Sequence, residues 1–291
     1  MTVIKTESPA KINLTLEIIR KMSNGFHELR TIMVKLFNLK DELEFKIKSG
    51  TTKIRVTCDN PEIPSDEGNI CYKAAKVFLD ALNKEAEISI KIKKRIPVGA
   101  GLGGGSSNAA STFLVLNEYF KKPFTKKKLI VLASKVGKDV PFFFSSKNGA
   151  LIKGTGEIIE KSFNFKTGYF LLVNPGINVS TKDAFGKISE RLKQLNRQGR
   201  NDVSDKMLKV IKRTIEGTVV NYFHNDFEVS IEKIHPVISE LKKSLLNFGA
   251  KGSLMSGSGS TVFGWFENKK EALKARKMMK NKYRDFLVEI G

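Results

Sequence analysis

Five glycines fall within seven residues in the run Pro97-Val98-Gly99-Ala100-Gly101-Leu102-Gly103-Gly104-Gly105-Ser106-Ser107. Glycines let successive backbone N–H groups turn toward one point and form an anion nest. An apolar stretch of helical type, Ala109-Ala110-Ser111-Thr112-Phe113-Leu114-Val115-Leu116, follows at once. A helix N-terminus behind such a nest adds unpaired N–H groups and a partial positive charge. The combination suits a polyphosphate, so the chain is expected to hold a nucleotide. No Lys-Ser or Lys-Thr follows the last glycine, which excludes a Walker A loop. Gly99-Ala100-Gly101-Leu102-Gly103-Gly104 satisfies the dinucleotide pattern, yet the acidic residue expected about 20 positions on is missing, since Glu118 comes too early and Lys121-Lys122-Pro123 intervenes. A tight turn or hinge is the plain alternative. It leaves unexplained why the run sits between a strand-like segment and a helix start.

Other segments carry groups suited to phosphoryl transfer. Ser8-Pro9-Ala10-Lys11-Ile12-Asn13 starts a strand with a lysine and an amide, and Gly137-Lys138-Asp139-Val140-Pro141 sets an acid before an apolar run. Ser256-Gly257-Ser258-Gly259 is a second potential nest. The reaction needs a cradle for the polyphosphate, a metal to neutralise charge, a cation for the moving phosphoryl and an acid that orients or deprotonates the acceptor hydroxyl. Lys11 and Asp139 can supply the last two. Singly, Lys11 reads as a surface lysine and Asp139 as a helix cap. The order of the segments along the chain argues more strongly than any one of them. Asn24-Gly25-Phe26-His27-Glu28-Leu29 reads as a hairpin or loop turn on its Asn-Gly pair. Phe26 with His27 adds a stacking surface and a polar edge suited to a flat heterocycle.

The elements that must position these groups are readable from periodicity. Strands are expected at Val3–Thr6 and Ile12–Ile19, separated by Pro9, then at Thr31–Leu39, Glu42–Ile47 and Lys53–Thr57. Asn69 is an N-cap candidate for a helix to about Leu82, and Glu87–Lys93 is a strand running into the glycine loop. Helices follow over Gly104–Tyr119 and Thr125–Val136, with a strand at Ala150–Lys153. Beyond the strand Tyr169–Val173, helical patterns cover 181–194, 204–216, 230–247 and 268–282, with a surface loop at Gln194–Asp205 and a strand at Thr261–Phe266. This is an α+β chain in two domains, 1–160 and 161–291.

Composition narrows the function classes. The net charge of +21, from 51 basic and 30 acidic residues, permits either nucleic-acid binding or attraction of an anionic substrate. The lysines are dispersed, and no aromatic-interleaved basic motif of RNA-binding type occurs, so a specific nucleic-acid partner is not expected. No apolar run reaches transmembrane length and the N-terminus lacks a signal-peptide pattern, so no membrane partner is expected. Cys58 and Cys71 fit neither a zinc spacing nor a disulfide framework and read as reduced thiols of a cytoplasmic protein.

Pro-Ala-Lys-Ile-Asn at 9–13, the glycine-serine loop at 97–107 and Ser-Gly-Ser-Gly at 256–259 resemble the three motifs of the GHMP kinases. Gly25-Phe26-His27-Glu28-Leu29, the run 101–110, Asp139-Val140-Pro141-Phe142-Phe143 and Asn225-Asp226-Phe227-Glu228 draw the resemblance toward the branch acting on 4-diphosphocytidyl-2-C-methyl-D-erythritol. It spans nearly the whole chain. It implies a ribosomal-protein-like N-terminal domain, a ferredoxin-like C-terminal domain, ATP and magnesium as cofactors, and a monomer or homodimer. It also implies an ATP-dependent kinase acting on the 2-hydroxyl of that cytidine-diphosphate-bearing substrate, in isoprenoid precursor synthesis by the non-mevalonate pathway. By the same resemblance Asp139 accepts the hydroxyl proton, while Lys11 orients Asp139 and stabilises the alkoxide. Asn13 contacts the substrate, Phe26 and His27 hold the cytosine, and Asn69 and Lys94 line the adenine pocket. The nucleotide loop is Pro97, Val98, Gly99, Ala100, Gly101, Leu102, Gly103, Gly104, Gly105, Ser106 and Ser107. The magnesium ligands are not fixed; Ser106 and Ser107 are candidates. Phe26 stands where Tyr is common in the family, Lys138 where a small residue is usual, and Thr155 where Arg is frequent; Thr155 is given no role. The alternative within the superfamily is a kinase of mevalonate or homoserine.

Overall fold

Two long strands, β1 (Thr2–Lys21) and β2 (His27–Lys48), form a hairpin turned at Asn24-Gly25. Gly25 has φ +83°, and the Asn24 side chain accepts the Phe26 N–H at 3.1 Å. The computed structural model describes residues 1–166, 168–180, 184–186, 203–213 and 218–291. Two units make up the chain. The first holds Met1–Ala10, Leu39–Val98 and Gly103–Ser146, and the second holds Lys11–Asn38, Gly99–Leu102 and Lys147–Gly291.

In the first unit the later part of β2 pairs antiparallel with β4 (Glu87–Lys93), which pairs in parallel with β3 (Lys53–Cys58). Parallel neighbours need a crossover, and α1 (Ile70–Leu82) supplies it. The alternation of β4 buries Ile88, Ile90 and Ile92 on one face. Helix α1 buries Cys71, Ala74, Ala75, Phe78 and Leu79, a helical stripe. Phe78 meets Phe113 of α2 (Gly104–Tyr119) at a ring separation of 6.4 Å. A third helix, α3 (Lys126–Ser134), leads to a 3-10 turn, Val140–Phe144, whose five residues are all buried. Burial pushes the Cys71 thiol up to about 12.

The second unit contains the first part of β2, paired with β5 (Gly149–Lys153), and β5 pairs with β6 (Ile158–Phe163). A separate antiparallel sheet holds β7 (Tyr169–Asn174), β9 (Gly252–Met255), β10 (Val262–Phe266) and β11 (Leu287–Ile290) in the order β11-β7-β10-β9. That order of four antiparallel strands is the ferredoxin-like arrangement. The short strand β8 (His224–Asn225) runs parallel to β1 at Thr15 and Leu16. Helix α4 (Val203–Arg213) begins on Glu17, whose carboxylate accepts the N–H groups of Val203 and Ser204 at 3.0 and 2.9 Å. Helices α5 (Glu228–Ile234), α6 (Val237–Asn247) and α7 (Lys269–Lys282) bury Ile231, Ile238, Leu241, Leu245, Ala275 and Met279 with Leu171, Val173 and Phe266.

The structure departs from the sequence reading at several points, and β6, β8, β9 and β11 are strands that reading did not mark. Pro9 does not divide two strands, because β1 is continuous through it. N–H groups two residues apart point to the same side of a strand, and on that side Lys11 donates to Leu102 O at 2.9 Å, a loop carbonyl rather than a strand neighbour. Lys40-Asp41 does not interrupt β2 either. Asp41 is fully buried within the strand, where it accepts Lys94 Nζ at 2.5 Å and the N–H groups of Arg95 and Ile96 at 2.8 and 2.9 Å. The helix expected over 230–247 is two, α5 and α6, because Pro236 forbids helical geometry at His235, which has ψ 79°. Most of the helix expected at 181–194 and of the loop at Gln194–Asp205 lies outside the described residues; Val203–Asp205 opens α4.

Candidate active site

In the first unit the glycine run ends as a helix start. Gly103 is the α2 N-cap at φ +68°, and the first helical bond runs from Ser107 N to Gly103 O at 2.9 Å. Positive φ at Gly99, Gly101 and Gly103, on alternate residues, is the backbone pattern of a nest. The Ser107 hydroxyl is buried at this helix start and has no hydrogen-bond partner among the described residues. A side chain at Gly104 would be crowded: a Cβ there would lie 2.9 Å from Lys94 Nζ and 3.0 Å from Ile96 Cγ2. Lys94 thus reaches the cradle, its ammonium paired with buried Asp41.

The acid arrives at the same place. A Cβ on Gly137 would meet Val140 Cγ2 at 3.1 Å, Ile70 Cδ1 at 3.6 Å and Ser106 Oγ at 3.8 Å. A Cβ on Gly105 would lie 3.6 Å from Ile70 Cγ2. Ile70 therefore packs the start of α1 against both the glycine loop and the turn that carries Lys138 and Asp139. Asp139 occupies the N-cap position of the 3-10 turn, but its carboxylate makes no capping bond there. Asn69 caps α1: its Oδ1 accepts the Cys71 N–H at 2.8 Å and its Nδ2 donates to Pro64 O at 2.7 Å.

The second unit organises Lys11. Lys11 is 3% exposed, and its Nζ donates to Asn13 Oδ1 at 2.7 Å and to Gly101 O at 2.9 Å. Asn13 Nδ2 donates to Thr31 Oγ1 at 2.8 Å, which fixes the amide oxygen toward the lysine. Three consecutive loop carbonyls are held by protein donors. Ala100 O takes Thr261 N at 3.4 Å, Gly101 O takes Lys11 Nζ and Ser256 Oγ, and Leu102 O takes Lys11 N. A Cβ on Gly101, at φ +74°, would fall 2.1 Å from Ser256 O. We expect Gly101→Ala to weaken ATP binding at least about tenfold, because left-handed φ costs about 1–2 kcal/mol for alanine before the clash is counted. Calorimetric titration with a non-hydrolysable ATP analogue checks this, and unchanged affinity would separate the loop from nucleotide binding.

Also in this unit, His27 is nearly buried and stacks on Phe185 with ring centroids 4.8 Å apart and 16° between planes. Phe227 backs Phe185 edge-on at 4.8 Å. His27 Nε2 has no hydrogen-bond partner among the described residues, and burial, then the charge of Lys21, lowers the imidazole pKa. A neutral ring offers one donor and one acceptor nitrogen. Phe26 is 53% exposed. Phe185 and the Asn225–Glu228 segment were not marked by sequence as parts of the site; only the resemblance drew attention to the latter. Thr155 N and Oγ1 both donate to Glu157 Oε2, at 2.9 and 2.6 Å, a local turn that explains its place without a further role.

These features define a class. The profile of the GHMP kinases N terminal domain matches residues 69–147, and that of the GHMP kinases C terminal domain matches 217–285. The fold is the two-domain GHMP kinase fold, and the protein is an ATP-dependent small-molecule kinase. A protein of Citrifermentans bemidjiense, named 4-diphosphocytidyl-2-C-methyl-D-erythritol kinase, is 40% identical over 274 residues, covering 94% of this chain and 92% of its own length. The crystal structure of a 4-(cytidine 5'-diphospho)-2C-methyl-D-erythritol kinase superposes with TM-score 0.79 at 28% identity, covering 99% of this chain and 98% of the other. A homoserine kinase structure from Cytophaga hutchinsonii reaches TM-score 0.73 at 17% identity, covering 100% and 94%, and shares the fold. The chain belongs to the GHMP kinases and, within them, to the 4-diphosphocytidyl-2-C-methyl-D-erythritol kinase family. Among the described residues no helix is long and apolar enough to cross a membrane.

Proposed function

We propose that the protein transfers the γ-phosphoryl group of ATP to the 2-hydroxyl of 4-diphosphocytidyl-2-C-methyl-D-erythritol. The observation that carries the substrate choice is the His27–Phe185 stack. It offers a flat aromatic surface and a neutral ring whose buried Nε2 awaits a partner. Cytosine presents hydrogen-bonding groups along one edge and a π-face; mevalonate and homoserine present neither. The names of the relatives support the same reading. The two family profiles, at 69–147 and 217–285, fall on either side of the boundary near residue 160, which supports domains 1–160 and 161–291.

In this reading Pro97–Ser107 cradles the polyphosphate, with Asn69 and Lys94 toward the adenine side. Asp139 accepts the hydroxyl proton, and Lys11 stabilises the alkoxide and the moving phosphoryl. Asn13 positions the acceptor near its reacting carbon, and Phe26 and His27 hold the cytosine. Magnesium fits the buried Ser107 hydroxyl and the adjacent Ser106. Among the described residues no group of three or more His, Cys, Asp or Glu side chains could hold the ion, so phosphate oxygens would be its main ligands. When bound it neutralises polyphosphate charge. His27→Ala is expected to raise KM for the cytidyl substrate at least about tenfold and to leave KM for ATP within about twofold. Equal effects on both would remove His27 from base recognition.

A further inference from the structure

We propose that Asn225 is a positioning residue of the kinase, acting through the Ser256-Gly257 loop on the Gly101 carbonyl that receives the Lys11 ammonium. The inference rests on the reading of Lys11 and the glycine loop given above. Asn225 is 5% exposed and all of its side-chain groups are used. Its Nδ2 donates to Met255 O at 2.7 Å and Gly257 O at 2.8 Å, and its Oδ1 accepts the Phe227 N–H at 3.0 Å. One amide thus bridges the two residues flanking Ser256. Glu228 adds a third tie, its Oε1 accepting Met255 N at 2.8 Å.

Ser256, held between those ties, connects to the catalytic lysine. Its hydroxyl accepts Asn13 N at 3.2 Å and donates to Gly101 O at 3.1 Å. Gly257 is equally close: a Cβ on it would lie 3.2 Å from Gly101 O and 3.4 Å from Asn13 Oδ1. Two acceptors of Lys11 Nζ, Gly101 O and Asn13 Oδ1, therefore face the segment that Asn225 clamps. The clamp is itself fixed to the strand bearing Lys11. Asp226 N donates to Leu16 O at 3.0 Å, and Asp226 Oδ2 accepts Ile18 N at 2.6 Å. Asn225–Glu228 is thus a brace that ties β1, the Ser-Gly-Ser-Gly loop and, through Phe227, the ring under His27. A buried amide with every hydrogen bond satisfied is costly to replace, because each former partner is left unpaired.

The test uses the full chain with Asn225→Ala, Ser256→Ala, their double variant and Leu245→Ala. Leu245→Ala is a core truncation of the same unit, on α6, at a residue outside the brace. In hydrogen exchange, the segment 99–104 of Asn225→Ala should exchange about tenfold faster than in the parent, and that of Leu245→Ala within about twofold of it. In turnover of the cytidyl substrate, Asn225→Ala and Ser256→Ala should each lower kcat about tenfold, with ATP-analogue stoichiometry retained and KM for ATP within about threefold. The double variant should lose about tenfold to twentyfold, because both cut one line of contacts. Unchanged exchange over 99–104, a loss in the double variant near the product of the singles, or a normal rate in Asn225→Ala overturns the proposal. If Asn225→Ala does not fold, the rate of Ser256→Ala decides, and a value within twofold of the parent rejects the line. Failure of the parent to use the cytidyl substrate counts against the substrate reading, and the exchange result still judges the brace.

Discussion

Asn in place of Asp139 is expected to lower kcat by about three orders of magnitude, the range for loss of a general base, while ATP affinity stays within about threefold. The substitution keeps size and shape and removes only the charge and the basic oxygen. The 3-10 turn that carries the residue is fixed by five buried apolar residues, Val140 to Phe144, and by the packing of Gly137 against Ile70 and Val140, none of which asparagine disturbs. No capping bond is lost, because the carboxylate makes none to its own turn. The acceptor hydroxyl of the proposed substrate is tertiary, hindered and far from ionised at neutral pH, so proton removal and positioning both bear on the rate. Steady-state kinetics beside calorimetric titration with an ATP analogue checks the split. Near-normal turnover would remove Asp139 as the base, and loss of ATP binding would make it part of the cradle.

Removing the Lys11 side chain is the second large effect. Lys11→Ala is expected to lower kcat about a hundredfold or more and to change ATP affinity less than about fivefold. The ammonium is buried and fixed by Asn13 Oδ1 and Gly101 O, both neutral oxygens, so these two contacts aim its charge without cancelling it. Such preorganised charge is worth most where charge develops during the reaction rather than where substrate first binds. Pre-steady-state and steady-state kinetics with the same substrates read the split. A large loss of ATP affinity with kcat preserved would recast Lys11 as a phosphate clamp.

Local chemistry made much of this legible in the sequence. The α2 start at Gly104 and the Asn69 cap of α1 each rest on residues within a few positions of one another. The Asn24-Gly25 turn is of the same kind. What escaped was set by partners distant in sequence. Pro9 and Asp41 look like breaks until Leu102 and Lys94 are brought beside their strands. Asn225 has no periodic or motif signal of its own chemistry; its role comes from carbonyls 30 and 32 residues away. Phe185 gains meaning only from the 4.8 Å stack on His27, 158 positions earlier by number. The glycine loop shows both cases at once. Its φ pattern was implied by composition, whereas the donors that hold its carbonyls, Lys11, Ser256 and Thr261, come from three separate parts of the chain.

The central claim is that the acceptor carries a cytosine. Product formation should be measured with ATP and 4-diphosphocytidyl-2-C-methyl-D-erythritol, mevalonate or homoserine in parallel, following ADP release and the phosphorus spectrum of the product. Turnover of the cytidyl compound to its 2-phosphate, at a kcat/KM at least about a thousandfold above the other two, is the predicted result. Turnover of mevalonate or homoserine without turnover of the cytidyl compound would contradict it.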